Sequence, residues 1–330
     1  MQMRSRTAWV LIVVVGVCVH TQAAQTKRKP RDSANAARSR PAPDGLDGAQ
    51  SEIYKTIGDV DLKLYVFRSE SREGGGRRPA IVFFFGGGWK SGSPGQFVPQ
   101  CRYLASRGMV AISADYRVYD RQQARVVDCV ADAQSAVRWI RANAGRLGID
   151  PDRIAAGGGS AGGHLAAATA CLEDISSDNA KTVSCRPKAL VLFNPPLDLT
   201  LEKFKGKDPA ERTQGLLARA GTDPVNLSPM DHLRSGLPPT IIFHGKSDSL
   251  IPYASIEAFR EAMRAAGNRC ELVGFDGQGH GFFNLRSPDQ SRYFVETMAH
   301  ADRFLASLGY LKGAPTIGSD FVRRIASRPE

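Results

Sequence analysis

The chain has 330 residues, 42% hydrophobic and 23% charged, with 33 Gly, 19 Pro and 8% aromatic residues. That profile excludes a disordered chain, a collagen and a small disulfide scaffold, and the length accommodates one large α/β domain or two ordinary ones. The net charge of +11 invites a nucleic-acid reading, but +5 of it falls in the first 50 residues, where eight Lys/Arg face three Asp/Glu; a diffuse +6 over the rest marks no nucleic-acid partner.

The N-terminus reads as an export signal: Arg4 and Arg6 precede a 12-residue apolar run, Ala8–Val19, and the small residues Ala23 and Ala24 follow. A membrane-spanning helix needs about 20 apolar residues, and no later segment supplies them. Residues 1–24 are therefore expected to be cleaved, leaving a secreted or periplasmic protein with no stable membrane insertion. Residues 25–50, rich in Lys, Arg, Ser, Ala and Pro, read as a disordered basic linker. Export permits disulfides, and cleavage leaves Cys101, Cys129, Cys171, Cys185 and Cys270, an odd number, so at least one thiol stays free. Cys171 and Cys185 fall at the same edge of the predicted sheet, which favours that pair; Cys101–Cys129 is the other available one. No C-x-x-C pair suggests a structural zinc.

From Ser51 the pattern is that of an ordered domain, expected over residues 51–312 with a tail at 313–330. Ile53–Thr56 and Asp61–Arg68 flank the turn Gly58-Asp59 as a hairpin. Ala80–Phe85, Val110–Ala114, Ile154–Ala156, Ala189–Phe193, Thr240–Phe243 and Cys270–Phe275 are short apolar runs, typical of strands buried on both faces. Helical periodicity fills the gaps. Val126, Val130, Ala133, Val137 and Ile140 share one helix face, and Phe97–Arg107, Ala161–Leu172, Ala254–Ala266 and Tyr293–Leu308 read likewise. An opening hairpin followed by strand–helix alternation predicts an α/β fold, with one mostly parallel sheet flanked by helices on both faces. Residues 194–236 form the longest break and are a candidate small lid.

The segment Ile154–Leu165 carries two overlapping motifs. Gly157, Gly159 and Gly162 spell the dinucleotide fingerprint G-x-G-x-x-G, while Gly158, Ser160 and Gly162 spell the nucleophile elbow G-x-S-x-G. A dinucleotide site belongs in the first strand–helix unit and wants an acid at a strand end about 20 residues on. Here the motif lies mid-sheet, and the nearest acids, Glu173 and Asp174, fall at a helix end. The elbow demands an acid and then a histidine on loops after later strands, plus an earlier oxyanion loop. Asp248 follows Thr240–Phe243, and His280 follows Cys270–Phe275 between glycines. His164 shares the helix of Ser160 and reads as packing; His232 and His300 lack a loop after a strand; His244 precedes the acid. Asp276 is too close to His280 in sequence to orient it, and Asp198 and Asp231 lie in the insertion. Gly86-Gly87-Gly88-Trp89 follows the strand ending in Phe85, so the amides of Gly87 and Gly88, with that of Ala161, are candidate oxyanion donors. A phosphate loop is excluded because Trp89, not glycine, precedes Lys90. Trp89, Phe282 and Phe283 flank these loops and are candidates to line an acyl pocket.

At these residues the sequence resembles the α/β-hydrolase esterases, in particular the hormone-sensitive-lipase-like and acetyl-esterase group that includes feruloyl and acetylxylan esterases. GGGW, GGSAGG, HGKSD and GHGF occur in the expected order between about Ile53 and Leu308. Two positions depart from the group: Phe85 stands where relatives usually have His, and Gly159 where they often have Asp. The resemblance implies a serine esterase without metal or organic cofactor or a large N-terminal cap, acting on a small-molecule or carbohydrate ester, with acetyl or feruloyl groups on extracellular carbohydrate as candidate substrates. Two alternatives share parts of the pattern: a peptidase of the prolyl-oligopeptidase type, which would need a large N-terminal domain, and an inactive hydrolase fold used for binding.

Overall fold

A computed structural model describes residues 42–69, 76–176, 182–200 and 219–326, all of which fall in one compact unit. The predicted signal segment, the linker up to residue 41 and residues 201–218 of the candidate lid lie outside the described residues. The strands are β1 (Ala49–Ile57), β2 (Val60–Phe67), β3 (Arg78–Phe84), β4 (Val110–Ala114), β5 (Ile149–Gly159), β6 (Ala189–Phe193), β7 (Thr240–Gly245) and β8 (Cys270–Phe275). They form one sheet in the order β1-β2-β4-β3-β5-β6-β7-β8. The β1–β2 and β2–β4 pairs are antiparallel and every later pair is parallel. Every residue of β4, β6 and β7 is buried, which requires helical cover on both faces.

The helices are α1 (Val98–Ser106), α2 (Tyr119–Gln122), α3 (Val126–Ala142), α4 (Ala144–Leu147), α5 (Ala161–Cys171), α6 (Tyr253–Ala265), α7 (Arg292–Ser307) and α8 (Ser319–Ala326). α3 buries the predicted stripe from Val126 to Ile140. Its Asp128 accepts the main-chain N–H of Arg125 at 2.9 Å, satisfying a donor at the helix start. α5 is almost all Ala, Gly and small polar residues and is buried all round, as a helix at the centre of the sheet must be. α3 also carries Asp132, a fully buried carboxylate that takes Lys55 of β1 at 2.9 Å and Arg117 at 2.8 Å, tying the hairpin edge to the helical layer.

The structure revises the sequence expectations at several places. β1 begins at Ala49, inside the expected linker, because Ala49 and Gln50 pair with Phe67 and Val66. β5 runs three residues past Ala156: Gly157, Gly158 and Gly159 stay in register with Val191, Leu192 and Phe193 of β6. The expected tail holds α8, whose Phe321 and Val322 are buried, with the Phe321 ring edge-on to Tyr103 of α1 at 5.3 Å. Cys171 and Cys185 are not bridged: all five cysteines of the described residues are free and buried. Arg138 ties down the loop between those two, donating to Ser176 Oγ at 2.6 Å and Val183 O at 3.0 Å, and burial pushes the Cys171 thiol up to about 12. The described flanks of the candidate lid are core-packed, since Leu197, Leu199 and Leu227 are buried and Met230 N–H donates to Leu197 O at 2.8 Å.

Candidate active site

Ser160 sits where β5 turns into α5, at φ 53° and ψ −122°, a conformation that costs a non-glycine residue about 1–3 kcal/mol. Two hydrogen bonds hold it there: its N–H donates to Phe193 O at 2.8 Å, and its carbonyl accepts the His164 N–H at 3.0 Å. The first turn of α5 passes so near the end of β3 that a Cβ on Gly162 would collide with the carbonyls of Phe84 and Phe85, and one on Gly158 would strike Gly162. The motif glycines are therefore required by backbone approach, and Ser160 Oγ is lifted at the C-terminal edge of the sheet.

The neighbouring strand ends bring two further groups to that oxygen. His280, on the loop after β8, places Nε2 2.9 Å from Ser160 Oγ and Nδ1 2.8 Å from Asp248 Oδ2, on the turn after β7. The Asp248 side chain has no exposed surface. Its Oδ1 accepts the N–H groups of Leu250 at 2.8 Å and Ile251 at 3.0 Å, and its Oδ2 also accepts Asn194 Nδ2 at 2.8 Å. Burial pushes this carboxyl up, but hydrogen bonds from His280 and Asn194, the His280 charge and the Ile251 amide outweigh it and leave the group at about 2. An ionised Asp248 accepts from His280 Nδ1–H, which leaves Nε2 as the acceptor for the Ser160 hydroxyl proton. Sequence reasoning passes over Asn194; the available signal is an Asn directly after β6 at this same sheet edge and directly before Pro195. It also leaves His244 aside, yet His244 is buried with Nε2 2.9 Å from Ile251 O and 3.4 Å from Asp248 Oδ2. Desolvation by burial lowers its pKa.

The glycine loop after β3 completes the edge. Gly86 N–H donates to Gln96 Oε1 at 2.6 Å, and the amides of Lys90 and Ser91 close onto Gly87 O at 3.0 and 3.1 Å. Among the described residues no group accepts the amides of Gly87, Gly88 or Ala161. Ala161 opens α5, so its N–H also lies at the positive end of the helix dipole. Phe85 stacks on Tyr116 with centroids 4.1 Å apart, and the Tyr116 hydroxyl donates to Phe85 O at 2.7 Å, anchoring the strand end just before the loop.

The aromatic candidates separate. Trp89 is buried with its ring edge-on to His164 at 5.1 Å. Phe282 is half-buried against Phe275, at 4.7 Å, and Tyr293, at 5.9 Å. Phe283 is core: it stacks between Phe193, at 4.7 Å, and Phe97, at 6.0 Å, in the space a side chain at position 159 would occupy. That packing accounts for Gly159. His164 is fully buried with Nε2 2.7 Å from Leu227 O, and burial lowers it to about 4. Asp276 pairs with Lys246 at 2.8 Å on the surface. Among the described residues no group of three or more His, Cys, Asp or Glu is arranged to hold a metal, and no helix is long and apolar enough to cross a membrane.

The sequence matches the BD-FAE family over residues 65–263 and the dienelactone hydrolase family over residues 224–312. It is 29% identical over 234 residues to the probable carboxylic ester hydrolase LipM of Mycobacterium tuberculosis, covering 64% of this chain and 52% of that protein. It is 31% identical over 272 residues to the probable isoprenylcysteine alpha-carbonyl methylesterase ICMEL1 of Oryza sativa subsp. japonica, covering 77% and 63%. The chain thus spans between half and two thirds of the length of these relatives. Among solved structures, esterase 2 of Thermogutta terrifontis in its apo form superposes with a TM-score of 0.77 at 49% identity, covering 83% of this chain and 99% of that one. The same esterase is known with propionate or butyrate bound and phosphonylated by sarin.

Proposed function

The chain belongs to the BD-FAE group of α/β-hydrolase esterases, and from that premise we propose that it is a serine carboxylesterase with Ser160, His280 and Asp248 as its catalytic triad. The observation that carries this reading is the unbroken relay of hydrogen bonds from Ser160 Oγ through His280 to a buried, ionised Asp248. His280 takes the hydroxyl proton as Ser160 Oγ attacks the ester carbonyl, and Asp248 holds the tautomer and stabilises the imidazolium. The oxyanion of the tetrahedral intermediate meets the free amides of Gly87, Gly88 and Ala161, each such donor worth about 10²–10³ in rate. His280 returns its proton to the departing alcohol. Water, deprotonated by the same imidazole, then releases the carboxylic acid from the acyl-enzyme.

Short acyl groups fit this reading. Propionate and butyrate are held by the Thermogutta esterase, and the core aromatic Phe283 fills space beneath the elbow that would otherwise be open. Trp89 and the half-buried Phe282 are the aromatic side chains beside the reacting loops, and they line the acyl side of the site in this proposal. Acetyl or aryl esters, including those on carbohydrate, are the proposed substrates. The N-terminal basic–apolar–small pattern, Arg4 to Ala24, adds export by a cleaved signal, which the N-terminal residue of the mature protein reads directly. The decisive experiment is p-nitrophenyl acetate hydrolysis by the protein and its Ser160→Ala variant. A loss of about 10³-fold or more is expected, and equal rates would overturn the mechanism. A rate series over acyl length, with acetylated and feruloylated saccharides, then assigns the substrate.

A further inference from the structure

The hydrogen-bond relay continues past Asp248. We propose that Asn194 is a positioning residue of this triad: its side-chain amide fixes the Asp248 carboxylate and thereby sets how strongly His280 holds a proton. The inference rests on the esterase reading above.

Three observations support it. First, Asn194 Nδ2 lies 2.8 Å from Asp248 Oδ2, the same oxygen that receives His280 Nδ1 at 2.8 Å. Together with the Leu250 and Ile251 amides on Oδ1, this fixes the carboxylate plane and the direction from which the imidazole approaches. Second, the amide can face only one way. Turning it over would set Oδ1 against a carboxylate oxygen, acceptor against acceptor. In the orientation adopted, Oδ1 is buried without a hydrogen-bond partner, so a carbonyl oxygen goes unsatisfied in order to keep the N–H₂ on Asp248. Third, the backbone presents the side chain. Asn194 has φ 46°, in the left-handed region that Asn and Gly enter most easily, and its N–H donates to Phe243 O at 2.9 Å. Its neighbour Phe193 accepts the Ser160 N–H. Two consecutive residues at the end of β6 thus hold the nucleophile by the main chain and the acid by the side chain.

Asn194 gives Asp248 a donor without a charge. Removing it leaves a more basic carboxylate, which draws the His280 proton more strongly and moves the acid limb of the rate profile to higher pH. The ionisable groups facing Asp248 are His280 from the loop after β8 and His244 from the end of β7. Tyr253 of α6 packs on His244 with centroids 6.0 Å apart. Lys246 and Asp276 pair on the surface at the same edge. None of these changes in the variants below.

The test uses Asn194→Gly, which keeps the left-handed backbone and deletes the amide, and Asn194→Asp, which keeps the shape and sets a second carboxyl against Asp248. kcat and KM for p-nitrophenyl acetate are measured against pH, with sites counted by fluorophosphonate titration. Asn194→Gly is expected to lower kcat about tenfold at unchanged KM and to move the acid limb up by about half a pH unit. In Asn194→Asp the two carboxyls share one proton, and once it is lost the second charge should move the limb up by about one unit or more. In a Ser160→Ala background, the downfield proton resonance of the His280–Asp248 bond should move further downfield in Asn194→Gly, a readout that needs no turnover. An acid limb and resonance unmoved in folded Asn194→Gly overturn the proposal, and this variant decides alone should the aspartate not fold. If Ser160→Ala keeps full activity, the esterase reading fails, while the resonance still judges Asn194.

Discussion

Two carboxylates of this protein are buried to the same degree and held in opposite ways. Asp132, under the hairpin edge of the sheet, is caged by cations: Lys55 at 2.9 Å and Arg117 through Nε at 2.8 Å and Nη2 at 2.9 Å. Asp248, at the edge where the parallel strands end, has no Lys or Arg partner among the described residues. Its donors are two backbone amides, one side-chain amide and an imidazole. In the first arrangement the charge is cancelled where it sits, and the gain is attachment of β1 to α3. In the second the carboxylate is kept ionised by hydrogen bonds and the neighbouring imidazole, and in the proposed mechanism its field is available for the charge His280 gains with a proton. Burial alone does not separate a structural acid from the acid of the proposed triad; the formal charge of the donors does.

This contrast can be broken at either end. The largest effect is expected from Asp248→Asn, which should lower kcat about 10⁴-fold per folded site by reversing the tautomer preference of His280, beyond any stability it loses with its carboxylate; a lowered melting temperature with kcat per folded site preserved would place Asp248 with Asp132. Asp132→Asn should do the reverse, destabilising the fold by about 3–5 kcal/mol in urea, because Arg117 and Lys55 lose their counter-charge, with kcat per folded site preserved. A fall in kcat on that scale would show that the hairpin edge communicates with the site.

Smaller changes sharpen the picture around the elbow. Gly159→Ala forces a Cβ into the Phe283 ring and should cost about 1–3 kcal/mol of stability. Phe283→Leu in the same chain should recover part of it, and a strictly additive double mutant would contradict the packing described. A third buried group, His164, stays neutral. His164 is lowered by burial from 6.5 to about 4, so between those values the unfolded chain binds a proton that the native protein refuses. Stability should therefore fall as pH drops through this window, by at most about 1.4 kcal/mol per unit, with the buried His244 acting in the same direction. Asp248 contributes later, its share being lost as pH falls from 3.8 toward about 2. Urea midpoints across the window should flatten in His164→Gln.

Much of this was legible in the sequence where the physics is local. Apolar runs such as Val110–Ala114 and Ala189–Phe193 became strands with those bounds, because a strand buried on both faces has no other composition open to it. Ser160, Asp248 and His280 could be placed at one sheet edge from strand order alone. What escaped depends on contacts between distant segments. Gly157 to Gly159 lie beyond the expected strand end at Ala156 but extend β5 in register with β6, and the Phe83 ring, the Gly162 backbone and the Phe283 ring fill the space their side chains would take. Asn194 has no motif of its own, and only the approach of the β7 turn reveals its partner. The helix Ser319–Ala326 was hidden in a charged tail because it finds its cover in distant segments, against α1 with its Tyr103 ring and against the turn Pro288–Gln290.

The five buried thiols have one more consequence. Cys101 lies on α1, Cys129 on α3, Cys171 at the end of α5, Cys185 before β6 and Cys270 at the start of β8, so together they sample every layer of the domain. A thiol reagent in solution reaches none of them until the surrounding structure opens. The rate at which each becomes modified would map, residue by residue, which layer of this domain breathes first and which yields only when the whole fold does.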